Sequence, residues 1–231
     1  MQKIGIVGGL GPESTLDYYK GIIQAFAQTS GGYNYPQIFM HSLNLGQVLE
    51  MLAAGAWERL ADLLVDSLQA LHRAGAQFAA IAANTPHLVF DQVQARSPLP
   101  LISIVEAACA RARALDLRRP GLLGTRTTMQ SDLYQRCFAP QGMTVLTPGE
   151  EDQELIQQRL MTEIELGIFK DSTRQELLDI VRRLQQAQGI DSVILGCTEL
   201  PLILDRDQFG LPFLNTTAVH VQAIVDYCRR S

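Results

Sequence analysis

The 231-residue chain lacks the features that mark several classes of protein. It has 19 Lys and Arg against 24 Asp and Glu, a formal net charge of −5, so no excess of positive charge is available for a nucleic-acid backbone. No apolar run reaches the roughly 20 residues that a helix needs to cross a bilayer. The first residues, MQKIGIVGGLG, are interrupted by glycine too early for a secretory signal. We therefore expect a cytoplasmic protein that binds neither nucleic acid nor membrane.

Cysteine is scarce, and its spacing does not indicate a metal site. The four cysteines form no CxxC pair and no cluster with histidine. We expect free thiols in a reducing compartment. The glycine-rich segment GGLGPEST differs from both the GxGxxG dinucleotide motif and the P-loop, because Pro12 follows its last glycine directly and no Gly-Lys-Ser/Thr ending is present. We therefore expect no bound cofactor and no metal.

Short apolar runs alternate with amphipathic stretches of helical length. The strand-like runs begin at residues 3, 37, 77, 99, 119, 143, 191 and 211, and the longest helical stretches span about 13–29, 57–75, 151–169 and 173–188. This alternation is typical of parallel βαβ units. The sequence predicts two α/β domains, 1–104 plus 212–231 and 105–211, each with three α/β/α layers around a four-stranded parallel sheet.

The two halves carry similar segments in the same order. The matched pairs are Gly8 with Gly124, Ala83 with Cys197, and Pro100 with Pro212, at separations of 116, 114 and 112 residues. Such nearly constant separations indicate a duplication, although unrelated α/β halves would share part of this alternation. Because parallel sheets present binding loops at their carboxyl ends, we expect pseudo-symmetric domains with an active site in the cleft between them.

Cys197 is the strongest candidate for chemistry. It follows a predicted buried strand and precedes Thr198 and Glu199 in the segment GCTE. Backbone N–H groups at a strand-to-helix turn favour a thiolate, so we expect a lowered pKa for this thiol. A buried cysteine is more commonly a small apolar residue. That interpretation suffices for the cysteines within helices, which are Cys109, Cys137 and Cys228.

Short polar side chains follow the predicted strands in both halves. They are Asn84, Thr85, Thr125 and Thr198. Hydroxyl and amide groups beside free backbone N–H groups suit a carboxylate ligand. The same side chains commonly cap helices, and one set of donors can serve both purposes. Both roles therefore stay open.

Glycine and histidine also recur near strand ends. Gly8 and Gly9 in GGLGPEST predict a tight turn whose backbone donors face the cleft, although structural need alone would explain these glycines. His87 follows ANTP and His220 follows NTTAV, in equivalent places of the two halves. A histidine near a thiol can set its protonation state, and a lone histidine can equally be structural. For both histidines the two roles stay open.

The segments GGLGPESTLDYY, ANTPH, LLGTRTTMQSDLY and VILGCTELPLIL resemble the aspartate/glutamate racemase family over essentially the whole chain. The resemblance implies two pseudo-symmetric α/β halves, usually a homodimer, and racemisation without pyridoxal phosphate or metal. It implies two cysteines on opposite sides of the substrate α-carbon, of which Cys197 is the second. Asn84, Thr85 and Thr198 match positions that hold the α-carboxylate, and Lys170 falls where some aspartate racemases bind the side-chain carboxylate.

Residues and resemblance together set the predicted site. The catalytic position is Cys197, with His87 and His220 as supporting candidates. The predicted substrate-binding residues are Gly8, Gly9, Asn84, Thr85, Thr125, Thr127, Lys170, Thr198 and Glu199. The expected substrate is aspartate or glutamate, which makes the chain an isomerase.

Ala83 departs from the family pattern, because the first cysteine of the motif C-N-T-x-H is replaced by alanine. Alanine has no titratable proton, so water or a hydroxyl such as that of Thr85 must serve that face of the substrate. We therefore expect unequal rates in the two directions. Because the equilibrium constant between enantiomers is one, this asymmetry can only be kinetic and tied to saturation or product release. Two alternatives stay open. One is a single-cysteine decarboxylase or isomerase of another dicarboxylate, and the other is a non-catalytic protein that binds an amino acid or dicarboxylate.

Overall fold

The computed structural model describes residues 1–30 and 33–230 of the chain, so Ser231, the last residue of the predicted first domain, lies outside the described residues. The contacts within the chain divide it into two units. The first comprises Met1–Ile104 and Thr217–Ser231, and the second comprises Val105–Thr216.

Parallel strands and helices alternate along the chain, as the sequence predicts. The elements are β1 (Ile4–Gly8), α1 (Pro12–Ser30), β2 (Ile38–Ser42), α2 (Leu45–Ala53), α3 (Trp57–Ala74), β3 (Phe78–Ile81), α4 (Phe90–Arg96), β4 (Leu101–Ile102), α5 (Ile104–Ala114), β5 (Pro120–Gly124), α6 (Arg126–Gln130), α7 (Leu133–Phe138), α8 (Glu150–Thr162), α9 (Asp171–Gln188), β6 (Ser192–Gly196), β7 (Phe213–Asn215) and α10 (Thr216–Arg229). Short 3-10 turns follow β3, α7, α8 and β6. In the described part of the chain, no helix combines the length and the apolar character needed to cross a membrane.

The first unit has a four-stranded parallel sheet in the order β2-β1-β3-β4. Successive strand side chains point to opposite faces, and both faces are buried. Ile4 and Ile6 of β1 pack with α1 and α10, whereas Val7 packs on the other side with α2, α3 and α4. Two apolar cores thus enclose the sheet, which confirms the predicted three layers for this unit.

The second unit has a parallel sheet in the order β5-β6-β7, and α8 and α9 lie against β5. The predicted strand from Met143 is reduced to a single parallel bridge between Gly121 and Leu146. Pro148 follows two residues later; proline has no N–H to donate and constrains the residue before it. The prediction of four full strands is therefore wrong for this sheet.

The predicted domain boundary at 211/212 also needs correction. Strand β7 is hydrogen-bonded to β6, with Val193 N donating to Pro212 O at 3.0 Å, so it belongs to the second sheet. The chain returns to the first unit only after Thr216. The sequence could not show this, because the choice of partner strand is made by tertiary pairing and not by local pattern.

Candidate functional site

Cys197 directly follows the central strand of the second sheet. All five residues of β6 are buried, and its last residue, Gly196, is paired with Gly124 at the end of β5. A Cβ on Gly124 would lie 2.8 Å from Gly196 O, so glycine permits this close approach of the two strand ends. Leu200 N then donates to Cys197 O at 3.1 Å, which turns the chain away from the sheet. Cys197 therefore lies at the carboxyl end of the sheet, where the sequence predicts it.

Two carboxylates flank this thiol. Cys197 Sγ lies 3.4 Å from Glu199 Oε2 and 3.5 Å from Glu165 Oε1. Glu199 Oε2 also accepts a hydrogen bond of 2.8 Å from Thr198 Oγ1. We call Cys197, Glu165 and Glu199 the acid–thiol cluster. Thr198 and Glu199, both predicted site residues, are thus brought to Cys197, whereas Glu165 was not predicted from the sequence.

Glu165 reaches the thiol because the predicted helix 151–169 is interrupted. Helix α8 ends at Thr162, and a 3-10 turn over Ile164–Leu166 is closed by Gly167, which has a φ of 72°. This turn redirects the chain. Polar and apolar residues alternate over Glu163-Ile164-Glu165-Leu166, which differs from the spacing of a continuous helix. This alternation is the sequence signal for the interruption.

Glu163 anchors this turn through a network of polar contacts. Its carboxylate accepts from Arg159 at 3.0 Å and from the Thr173 hydroxyl, and it forms an ion pair of 3.2 Å with Lys170 Nζ. The Thr173 hydroxyl, together with the two cations, holds the pKa of Glu163 below its usual value. The predicted substrate residue Lys170 is accordingly engaged with Glu163 and lies immediately before α9.

The surroundings of the acid–thiol cluster change the pKa of the thiol in the direction opposite to the one expected from the sequence. Burial, with Glu199 and Glu165 adding to it, raises the pKa of Cys197 well above its ordinary value. Burial and the neighbouring Glu199 also raise the pKa of Glu165, to about 8. The expected lowering of the thiol pKa is therefore wrong, because adjacent negative charge and loss of water outweigh the backbone donors of the turn. Without a ligand, the thiol retains its proton.

A protonated thiol between two carboxyl groups is suited to acid–base chemistry. One sulfur-bound hydrogen can point to only one carboxylate oxygen at a time, and both acceptors lie within 3.5 Å. Glu199 can take the thiol proton when a ligand changes the local charge, whereas Glu165, with a pKa of about 8, already holds a proton at neutral pH. The cluster thus offers a sulfur base together with a place for its proton.

The predicted threonines beside β5 have defined local roles. Thr125 is the N-cap of α6; its hydroxyl oxygen accepts from Thr128 N at 3.2 Å and forms a 3.0 Å hydrogen bond with Thr128 Oγ1. Thr127 lies within α6 and is half-buried. The helix-capping interpretation is therefore observed for Thr125, and it does not exclude a carboxylate on the same donors.

In the first unit, the residues equivalent to Cys197 and its neighbours follow β3. Ala83, Asn84 and Thr85 are buried, with exposed fractions of 4%, 3% and 7%. Asn84 O accepts from His87 N at 2.9 Å as the chain enters a 3-10 turn over Thr85–Val89. Ala83 is part of the apolar core beneath this turn.

Both predicted histidines are buried and fully hydrogen-bonded as neutral rings. His220 Nε2 donates to Ile102 O at 2.9 Å, so Nδ1 accepts from Tyr18 OH at 2.8 Å. His87 Nδ1 donates to Ala83 O at 2.8 Å, so Nε2 accepts from Ile104 N at 3.3 Å. Burial lowers the pKa of His87 to about 3 and that of His220 to about 4. These contacts favour the structural role for both.

The glycines after β1 serve a packed turn. Gly9 has a φ of 75°, and a Cβ there would lie 2.5 Å from Ser42 Oγ. Gly9 N donates to Thr15 Oγ1 at 2.9 Å, and the Thr15 hydroxyl donates to Gly11 O at 2.8 Å. A Cβ on Gly8 would collide with the Thr15 side chain. The backbone donor of Gly9 is therefore already used inside the turn, which corrects the expectation that it faces a ligand.

Comparison with known proteins finds a family model and similar structures over nearly the whole chain. The family model described as Asp/Glu/hydantoin racemase matches residues 7–224. The broad-specificity amino-acid racemase RacX of Bacillus subtilis (strain 168) is 24% identical over 225 residues, which cover 96% of each chain. A solved structure of a candidate Asp/Glu racemase from Yersinia pestis matches with a TM-score of 0.87 and 32% identity, over 99% of both chains. An aspartate racemase homologue from Pyrococcus horikoshii OT3 matches with a TM-score of 0.82 and 34% identity, also over 99% of both chains.

Proposed function

Since the chain belongs to the Asp/Glu/hydantoin racemase family, we propose that it racemises aspartate or glutamate by proton transfer at the α-carbon, with Cys197 as the acid and base. The observation that carries the proposal is the acid–thiol cluster, in which a buried sulfur lies within 3.5 Å of two carboxylate groups. The broad specificity named for the Bacillus subtilis relative supports an amino acid as the substrate class.

The proton of Cys197 has a route under this proposal. The thiol must become a thiolate before it can abstract the α-proton of one enantiomer, and Glu199 accepts the proton that it gives up. In the opposite direction the protonated thiol delivers a proton to the α-carbanion. A protonated resting thiol is compatible with this cycle, because the same group must act in both forms. The proposal requires neither pyridoxal phosphate nor a metal.

The α-carboxylate and the carbanion need stabilisation by hydrogen-bond donors. We assign this role to Asn84, Thr85 and Thr198, which match the carboxylate-binding positions implied by the resemblance. Donors of this kind act on charge that develops in the transition state and contribute more in a dry site than in water. Lys170 is proposed to share its ammonium group between Glu163 and the side-chain carboxylate of the substrate, since its side chain is 54% exposed.

The proton on the other face of the α-carbon needs a different source. Ala83 stands where the resemblance implies a cysteine, so water or the Thr85 hydroxyl is proposed to supply this proton. A hydroxyl is a much weaker acid than a thiol. The two directions are therefore expected to differ in rate at saturation, while the equilibrium constant between enantiomers stays at one. The family resemblance also leads us to propose a homodimer, which sedimentation would test.

Hydrogen exchange at the α-carbon tests the proposal directly. Each enantiomer of aspartate and glutamate is incubated with the protein in D2O, and α-deuterium is measured by NMR. We expect deuterium in the wild-type reaction and none with Cys197→Ala. Cys137→Ser is the matched control, because it removes another thiol of the second unit outside the acid–thiol cluster, and it should retain exchange.

Each outcome bears on a different part of the proposal. Absence of exchange for both amino acids in the wild type would refute the proposed substrates, and a panel of other amino acids would then test the racemase activity itself. Exchange that persists in Cys197→Ala would refute the role of the thiol. Ligand-induced thermal stabilisation without any turnover would favour the binding-protein alternative.

A further inference from the structure

The acid–thiol cluster also has the composition of a metal site. Cys197 Sγ and one oxygen each of Glu165 and Glu199 all lie within 4.8 Å of one another. We propose that these three residues bind a thiophilic divalent cation, for which Zn2+ is the best fit, and that the bound ion blocks the thiol. The ion is therefore an inhibitor of this site and not a cofactor.

The distances between the ligand atoms fit a tetrahedral zinc ion. Zn–S bonds of about 2.3 Å and Zn–O bonds of about 2.0 Å, at a tetrahedral angle, place sulfur and oxygen about 3.5 Å apart. The observed separations from Cys197 Sγ are 3.4 Å to Glu199 Oε2 and 3.5 Å to Glu165 Oε1. The two carboxylate oxygens, which lie within 4.8 Å of each other, would need to be about 3.3 Å apart in such a site.

A second observation points to a missing positive charge. Glu199 is 1% exposed, and its Oε1 atom has no hydrogen-bond partner among residues 1–30 and 33–230. The same holds for Glu165 Oε2 within that part of the chain. The other oxygen of each carboxylate lies beside Cys197 Sγ, so both carboxylates face the sulfur. Buried carboxylates with an acceptor that lacks a donor are costly, and a cation bound to the other oxygen of each would offset their negative charge.

The donor set distinguishes between cations. Magnesium and calcium prefer ligand sets made only of oxygen, whereas zinc accepts thiolate and carboxylate together. Three protein ligands leave a fourth position for water or for a ligand carboxylate. The Thr198 hydroxyl, which donates to Glu199 Oε2 at 2.8 Å, would orient that carboxylate as an outer-sphere partner.

Metal binding releases the thiol proton and prevents the sulfur from acting as a base. The ion forms a bond to Cys197 Sγ, and the displaced thiol proton leaves to solvent, as does any proton held by Glu165. The sulfur lone pair that would accept the α-proton is then bound to metal. Loss of exchange activity on zinc binding rests on the proposed function, whereas binding itself does not.

Cobalt provides a spectroscopic test on the full-length chain. After treatment with EDTA, the protein is titrated with Co2+, and thiolate-to-cobalt charge-transfer absorption is recorded; Zn2+ is titrated by calorimetry. We expect one equivalent of each ion and a thiolate band that added Zn2+ removes. Cys197→Ser should lose the band. Cys137→Ser, the control, should keep it.

Glu165→Gln is the second variant, because it retains the shape of the side chain and removes its charge. Loss of an outer-sphere partner weakens metal sites 10–100-fold, so loss of a ligand is expected to weaken Zn2+ binding about 100-fold or more. Far-ultraviolet circular dichroism verifies that each variant is folded. A wild-type protein without the thiolate band, a band that persists in Cys197→Ser, or unchanged binding in Glu165→Gln would overturn the proposal.

Measurement of α-proton exchange with and without zinc distinguishes the metal-site proposal from the racemase proposal. Zinc is expected to abolish α-proton exchange in the wild type, and excess EDTA is expected to restore it. A cobalt–thiolate band in a protein that exchanges no α-proton would leave the metal site standing and refute the racemase proposal. Exchange without any such band would refute the metal site alone.

Discussion

Acidification should destabilise the first unit through its two buried histidines. His87 and His220 have pKa values of about 3 and about 4 in the folded chain, below the value of 6.5 that applies without burial. The unfolded chain therefore binds protons first as the pH falls. The stabilisation from neutral histidines is complete above about pH 6.5 and is lost progressively as the pH falls toward the folded values.

The magnitude follows from these pKa values. One pKa unit corresponds to about 1.36 kcal/mol, so at pH 5 each histidine has lost about 2 kcal/mol, or about 4 kcal/mol for both. That is a large part of the roughly 5–15 kcal/mol that stabilises a typical domain. No nearby carboxylate is in their described contacts; the rings meet Tyr18 OH, the carbonyls of Ile102 and Ala83, and Ile104 N.

Urea unfolding at pH 7, 6 and 5 measures the effect. Trp57, the only tryptophan of the chain, lies in α3 of the first unit and reports on it by fluorescence. His220→Gln is the matched variant, because an amide can donate to Ile102 O and accept from Tyr18 OH without titrating in this range. Its loss of stability between pH 7 and pH 5 should be about 2 kcal/mol smaller than that of the wild type, whatever its stability at pH 7.

Two results would refute this reasoning. In a Glu165→Gln background, which removes the opposite contribution of Glu165 with its pKa of about 8, a free energy of unfolding that stays constant from pH 7 to pH 5 would show that the histidines are not held neutral. An unchanged pH dependence in His220→Gln would show that this residue does not contribute to it. The first result would also reopen a proton-transfer role for these side chains.

Two further substitutions test the strand ends. Ala83→Cys should raise α-deuterium incorporation in the slower direction on the order of 10²-fold, the usual contribution of a positioned acid or base, and NMR exchange rates from each enantiomer measure it. Unchanged rates would contradict the account of the missing cysteine. Gly196→Ala should destabilise the chain by about 1–3 kcal/mol in thermal unfolding, because its Cβ would lie 2.5 Å from Leu122 Cδ1. Gly149→Ala, where a Cβ meets nothing within 4 Å, is the control and should have little effect; equal losses would contradict the steric explanation.

Much of the fold is predictable because it depends on local patterns. Apolar runs of strand length bounded by glycine predicted β1, β3, β5 and β6, and helical spacing predicted α1, α3 and α9. Where the prediction was wrong, a long-range choice decided the outcome. Leu146 forms one bridge instead of a strand, and β7 pairs with β6 in the second sheet.

The candidate site was likewise predicted where it depends on local sequence and missed where it depends on a long-range contact. The segment GCTE predicted Cys197, Thr198 and Glu199, because a thiol and polar side chains directly follow a buried strand and the segment resembles the family motif. Glu165 could not be identified, since it lies 32 residues from Cys197 and reaches it only through the break after α8. The alternation over residues 163–166 marks the interruption of the helix, but it does not identify the partner of Glu165.

The sequence by itself determined the alternating α/β architecture, the family, and the position of the thiol at a strand end. Only the tertiary structure decided the protonation state of that thiol, because a pKa depends on burial and on neighbouring charge and not on residue type alone. It likewise decided that His87 and His220 are neutral hydrogen-bonded side chains, since their partners come from other segments of the first unit. Local pattern specifies which elements form, and the packing of distant segments specifies the chemistry of the groups they carry.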